Sequence, residues 1–368
     1  MSTELFSLVS NDISSRVRWE TRQALWYQMR NDGLRRKHKP WPNASDVHFP
    51  LIDTTINKLK PSFFQQAMGL DVLATFVPMR SQLSAYTSAA EQWFSYKLNE
   101  KSNYATEVMS WIDHMLVSGH GILKVYWNPD KGQIEFQSVD PVYMIVPPWT
   151  KEIGGADRVC QVIPMSLESY KRAGIYKDDK KTLEAISGGQ NEEGGILSEL
   201  KNNKEVREGL THSMDEEQVI VWEVYSRDKD GDWIMECFSP QAPDIPLRKE
   251  MKVPFDHGVP PFVSCKYEIT GGGWYSPRGV CEMLGPFEIA LNKTWNEKMD
   301  AATLLNQPMF KAERDLPNSV NLRMKPAQIL PFGIAPVQMP STPIDFDNEM
   351  TQTQSIAEQR VTVPDYGI

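Results

Sequence analysis

The 368-residue sequence is poor in the features that mark secreted, membrane and catalytic proteins. Its four cysteines, Cys160, Cys237, Cys265 and Cys281, are widely scattered without a CxxC, which excludes a disulfide framework and predicts reduced, structural thiols in a cytosolic setting. No stretch approaches the ~18 apolar residues of a membrane span, because Val139 to Trp149 is short and broken by prolines. Met1 to Ser15 contains Glu4 and Asp12 and lacks a basic start followed by an apolar run, so no signal peptide is expected. An excess of positive charge is also missing: 39 Lys and Arg against 48 Asp and Glu leave a net charge of -9. Bulk electrostatic attraction to nucleic acid is therefore excluded.

Catalytic and metal-binding spacings are missing as well. The six histidines form no HExxH, and His114 and His120 lie too far apart in register to share a helical face, so both are expected to be structural. Asp228, Asp230 and Asp232 alternate like calcium ligands, but Trp233 stands where an EF-hand needs glycine, which predicts a hairpin turn. Gly271-Gly272-Gly273 is not followed by GxxxxGK[ST], and it is read as a flexible joint rather than a phosphate loop. With no GxSxG, cysteine–histidine signature or kinase set either, no catalytic, cofactor-binding or metal-ligating residue is assigned.

What is present is an ordered change of period. Ile13 to Asn31, Asp53 to Gln66, Leu83 to Leu98 and Tyr104 to Val117 predict helices, the second with Pro61 inside it. Between the first two lies a basic run, Arg35-Arg36-Lys37-His38-Lys39, read as a solvated linker or a partner contact. From Gly119 the pattern becomes strand-like: Gly121 to Trp127, Gln133 to Val139, Tyr143 to Val146, Val159 to Ile163, Val219 to Ser226, Trp233 to Phe238 and Phe262 to Tyr267. Ser166 is expected to cap a short helix, and Asp178 to Glu217 is a polar, charged insertion.

Gly271 to Phe310 carries the clearest signal. After Trp274-Tyr275-Ser276-Pro277-Arg278-Gly279, residues Phe287, Leu291, Trp295, Met299 and Ala302 recur at three- or four-residue steps and predict one apolar helix face. Glu288, Asn292, Asn296, Glu297 and Asp300 are expected on the other face, toward solvent or a partner. A proline-rich segment follows Gln307-Pro308, with Lys311, Arg314, Arg323 and Lys325 gathered in it, before Asp345 to Arg360 becomes helical again. That local positive bias predicts an exposed surface facing phosphates or a partner.

The order of these elements resembles the portal, or head-to-tail connector, proteins of tailed bacteriophages. The residues that carry the resemblance are Trp41-Pro42-Asn43-Ala44-Ser45-Asp46-Val47 with Pro50-Leu51-Ile52, and Ser138-Val139-Asp140-Pro141. To these add Tyr275-Ser276-Pro277-Arg278-Gly279 with Leu284, Asn292, Asp300 and Gln307-Pro308. The resemblance implies an α+β chain: a mixed α/β wing over 1–273 (helical to 118, strand-rich from 119, with the insertion at 178–217). A first stem helix within 274–306, a clip at 307–342 and a second stem helix with the start of a return to the wing at 343–368 would follow. It also implies a homo-oligomeric ring of about twelve copies at one capsid vertex of the virion, assembled in the host cytoplasm.

Its expected partners are double-stranded DNA in the channel, terminase, a head-tail adaptor, and the major capsid and scaffold proteins, with no membrane and no cofactor. Lys311, Arg314, Arg323 and Lys325 would face DNA or a partner from the clip, and Phe287, Leu291, Trp295 and Met299 would pack the stem or the subunit interface. The negative balance suits a duct wall that does not grip phosphate. Portals continue with a tunnel-lining helix and often a helical crown, so a further C-terminal part is expected beyond Ile368. The competing expectations are another head-tail adaptor ring, which the large α/β region disfavours, and a nucleotide- or peptide-acting hydrolase with a dispersed site.

Overall fold

The computed structural model describes residues 2–31, 39–69, 73–128, 131–188, 218–253, 255, 257–306, 310–312, 334–336 and 345–361. The chain is α+β, as its pattern predicts. It divides into two compact units, one made of Met1–Asp32 with Leu51–Gly285, the other of Gly33–Pro50 with Pro286–Ile368. The segment ending at Pro50, expected in the wing, therefore folds with the C-terminal residues.

The first unit opens with α1 (Ser2–Ser15) and α2 (Val17–Asn31) rather than the single helix expected from Ile13. The break lies at Arg16, which is 3% exposed. A buried guanidinium must find acceptors, and Arg16 donates to the carbonyls of Val142 (2.6 Å) and Met144 (2.7 Å) and pairs with Glu20. The helices α3 (Leu51–Met68), α4 (Thr87–Lys101) and α5 (Tyr104–Ser118) follow, α4 preceded by a 3₁₀ turn over Ser81–Tyr86.

Two antiparallel sheets form the centre of this unit. The first has the order β2 (Gln133–Val139), β1 (His120–Asn128), β8 (Phe262–Lys266). The second runs β3 (Met144–Ile145), β4 (Arg158–Ser166), β5 (Gln218–Arg227), β6 (Trp233–Phe238), β7 (Arg248–Lys252). The strand β7 is not among those expected from the sequence, because its alternation is weak. Ser166 caps α6 (Leu167–Ala173) through the Ser169 N–H, and the start of the polar insertion is α7 (Lys180–Gly188); the rest of that insertion, 189–217, lies outside the described residues. The Asp228–Asp232 segment is the β5–β6 hairpin turn, with Gly231 at φ 86°.

Alternation along β5 explains the layering. Trp222 and Val224 face α1, packing with Val9, Leu5 and Phe6. Tyr225, from the opposite face, joins Ile122, Val139, Met144, Trp233 and Phe262 in a core between the two sheets. On the outer face of the first sheet, α4 and α5 cover Leu123 and Phe136 with Leu98, Phe94, Tyr104 and Trp111. A charged island crosses the inter-sheet layer: Lys124 of β1 donates to Glu223 (2.6 Å) and Gln161 (2.9 Å), and the Tyr225 hydroxyl also donates to Glu223. The two donors on Glu223 Oε1 offset part of the cost of burying the pair.

The turn that follows Gly271-Gly272-Gly273 is anchored. Trp274 is 1% exposed in the inter-sheet core, its N–H donates to Thr150 O, and its ring lies 4.1 Å from that of His120. The Tyr275 hydroxyl donates to Val146 O and accepts from Val146 N, and Arg278 makes two bonds to Glu268. His120 is structural as expected: burial, with Lys266 nearby, pushes its imidazole down to about 3.

Three helices of this unit meet at Asp113, which accepts from Arg30 at 2.6 and 2.9 Å and from Lys60 at 2.9 Å. Burial raises its pKa, but the bonds and charges of Arg30 and Lys60 outweigh that and hold it at about 2. A depressed carboxylate stabilises the fold above its unfolded pKa of ~3.9 and loses that contribution as pH falls toward the folded value. Acid titration should therefore remove about 2 kcal/mol between roughly pH 4 and pH 2 in the wild type. Asp113→Asn should flatten that window, as followed by urea unfolding at each pH; an unchanged slope would show that the cluster contributes nothing.

Candidate functional site

The central element of the second unit is the part from Pro286 onward of α8 (Val280–Asn306), a helix of 27 residues and so roughly 40 Å long. The helix starts after the anchored turn, inside the expected 274–306 range, and contains Pro286, which is exposed. The long helix is where the sequence predicts it, but its faces are not. Glu288 (0%), Asn292 (9%), Asn296 (5%) and Asp300 (6%) are the buried residues, whereas Met299 is 43% exposed and Ala302 is exposed too. Leu291 is buried, and Phe287 and Trp295 are half-buried. The polar face expected toward solvent or a partner is thus covered, by the chain itself.

The polar stripe is buried because it binds an extended segment of the same unit, Ser45–Phe49, here called the strap. A turn precedes it, with Asn43 at φ 69° and Ala44 N–H on Trp41 O. The strap then lies along α8. Ser45 N donates to Asp300 Oδ1 at 2.8 Å, Val47 N to Asn296 Oδ1 at 2.8 Å, and Phe49 N to Asn292 Oδ1 at 2.6 Å. Ser45 Oγ also donates to Asn296 Oδ1, and Asn296 Nδ2 donates back to Val47 O at 3.0 Å.

The match is one of two periods. Alternate amides of an extended chain on one edge are about 6.6 Å apart, and side chains four apart on a helix are about 6 Å apart. An Asn-x-x-x-Asn-x-x-x-Asp stripe can therefore serve consecutive outward amides of a strand that has no sheet partner. Below Asn292, its Nδ2 lies 3.2 Å from His48 Nδ1; with Asn292 as donor, the ring N–H sits on Nε2, 3.7 Å from Glu288. Burial lowers the His48 pKa, which favours this neutral form. The Phe49 and Trp295 rings close the apolar side at 6.4 Å, with Lys298 over the Trp295 ring.

The chain then passes through a two-stranded antiparallel sheet, β9 (Phe310–Ala312) and β10 (Ile334–Pro336), and enters α9 (Phe346–Val361). Asp345 caps α9, its Oδ1 accepting from Asn348 N, and Lys298 of α8 pairs with Asp347 in the first turn of α9. Met350, Ala357 and Val361 are its buried positions. The expected clip residue Lys311 is exposed on β9, while Arg314, Arg323 and Lys325 lie outside the described residues, as do Arg35 to His38 of the basic run. Of the proposed stem residues, Phe287, Leu291, Trp295 and Met299 do share one side of α8, but burial fades along it from Leu291 to Met299.

Chemically, this arrangement holds backbone and presents surfaces. Among the described residues no group of three or more His, Cys, Asp or Glu is placed to hold a metal ion, and no helix is long and apolar enough to cross a membrane. The residues missed as a site are Glu288, Asn292, Asn296 and Asp300, and the signal that could have found them is the strict four-residue spacing of polar side chains beside an apolar stripe. No protein-family model matches the chain, and no curated protein matches it.

Proposed function

We propose that this chain is a phage portal protein: a non-catalytic, ring-forming conduit at one capsid vertex, through which double-stranded DNA is packaged and ejected. The observation that carries this reading is a succession of elements: a 27-residue helix, a small antiparallel sheet, and a helix tied back to the first by Lys298 and Asp347. In this reading α8 and α9 are the stem, β9 and β10 belong to the clip, and the first unit is the wing. The strap supports it by giving the stem helix a fixed polar side, which leaves the graded stripe of Trp295 and Met299 for a neighbouring copy. Terminase and later a head-tail adaptor would dock on the clip, where Lys311 is exposed. The net charge of -9 fits a wall that lets phosphate slide.

Negative-stain imaging and native mass measurement test the proposal: rings of about a dozen copies support it, and a monomer or dimer with catalytic turnover overturns it. Trp295→Asp places a charge on the half-buried stripe and is expected to abolish ring assembly while leaving the far-UV spectrum unchanged. Normal rings from that variant would remove Trp295 from the subunit contact.

A further inference from the structure

We infer that the outer face of α4 docks, in a second copy of the chain, into the groove beside β8, making a head-to-tail contact between first units. Along α4 and the turn before it, Tyr86, Ala89, Ala90, Trp93 and Tyr96 recur at three- and four-residue steps on a side the fold leaves uncovered. Tyr86 is 70% and Trp93 60% exposed. The preceding strip runs antiparallel to the helix, Leu73 N donating to Ser95 Oγ and Phe76 N to Glu91 Oε1, and it brings Val77 and Met79 (96% exposed) to the same region. These exposed large side chains together offer roughly 800 Å², about the share one partner contributes to a stable interface. A helix that carries a second apolar stripe besides its core side is built to be covered twice.

The receiving surface lies on the same unit. A groove of 670 Å³ opens along β8, lined by Ile153 and Phe262, with Ile269, Lys151, Glu152 and Lys266 among its other walls. Ile269 is 71% exposed. The two surfaces sit at opposite edges of one three-stranded sheet, since α4 packs on β2 and the groove follows β8. Knob and hole at different places on one body cannot satisfy each other within a chain, and they add copies head to tail until a ring closes or a filament grows.

Charge agrees with the fit. Lys97 and Lys101 cover one face of Trp93 and Tyr96, and the groove carries Glu152, of opposite sign, for them to meet. The contact goes beyond the portal reading by naming the interface, and it rests on that reading only for the closure of the ring.

The test uses the full chain in a Cys265→Ser background with Ala89→Cys and Ile269→Cys, treated with a short bismaleimide. The double variant should give a ladder of covalent multimers on a denaturing gel, each single variant none, and addition of Trp93→Glu should abolish the ladder. Absence of a ladder, or dimers from Ala89→Cys alone, overturns the head-to-tail contact, the latter by showing α4 against α4. Circular dichroism of each variant establishes that the chain is folded. Imaging the same samples separates the two proposals: a ladder without rings sinks the portal and keeps the contact, while rings that persist with Trp93→Glu do the reverse.

Discussion

Asn296→Ala is expected to destabilise the second unit by about 4 kcal/mol and to release the strap from α8. The side chain is 5% exposed and makes four bonds: from Ser45 Oγ, from Val47 N, to Val47 O and to Asn292 O. Each is worth about 1 kcal/mol net, and alanine removes the partner of both the Val47 N–H and the Val47 carbonyl at once. Asn292→Ala should cost roughly half as much, since one strap amide, that of Phe49, depends on its Oδ1. Hydrogen exchange is the discriminating measurement. The Ser45, Val47 and Phe49 amides should lose protection together in Asn296→Ala, while amides of the inter-sheet core keep theirs. If Val47 remains protected in that variant, the ladder is not what holds the strap.

Gly279→Ala should cost on the order of 5 kcal/mol and lower Tm by about 10 °C, an effect outside the usual range for an added methyl group. A Cβ at 279 would stand 2.3 Å from Val117 O and 2.7 Å from Leu116 O and Gly119 N, all backbone atoms that no rotamer change can move. The approach is mutual: a Cβ on Gly119, which sits at φ 87°, would meet the Arg278 carbonyl carbon at 2.5 Å. The end of α5 and the entry to α8 thus touch backbone to backbone, and both glycines exist for that contact. Thermal unfolding checks this directly. A Tm for Gly279→Ala within a degree or two of the wild type would mean that the 278–279 strand can shift away without loss.

The legible parts of the fold were those in which one local pattern has one solution. Alternation in Val219 to Ser226 with Asp230-Gly231 after it allows little besides a hairpin, and the observed β5–β6 pair follows it closely. The long apolar period after Val280 likewise specifies a helix, and Asn306 ends it before Pro308. The break at Arg16 was not legible, because the helical period continues through it. What breaks the helix is a pair of carbonyls more than a hundred residues away. Nor was the anchoring of the turn after Gly273, which Trp274 in the core provides.

The candidate site divides along the same line. By itself the sequence determined that α8 has an apolar stripe and a polar one, that a proline-rich sequence follows, and that a second helix comes after. Only the tertiary structure decided which stripe is inside. Amphipathic spacing predicts that water satisfies the polar side, because water is the partner available to any isolated helix. Here the partner is a strap 251 residues earlier in the chain than Asn296, and its amide spacing happens to fit four residues of helix. A periodicity records where polar groups point, whereas the identity of what they meet is a property of the folded chain.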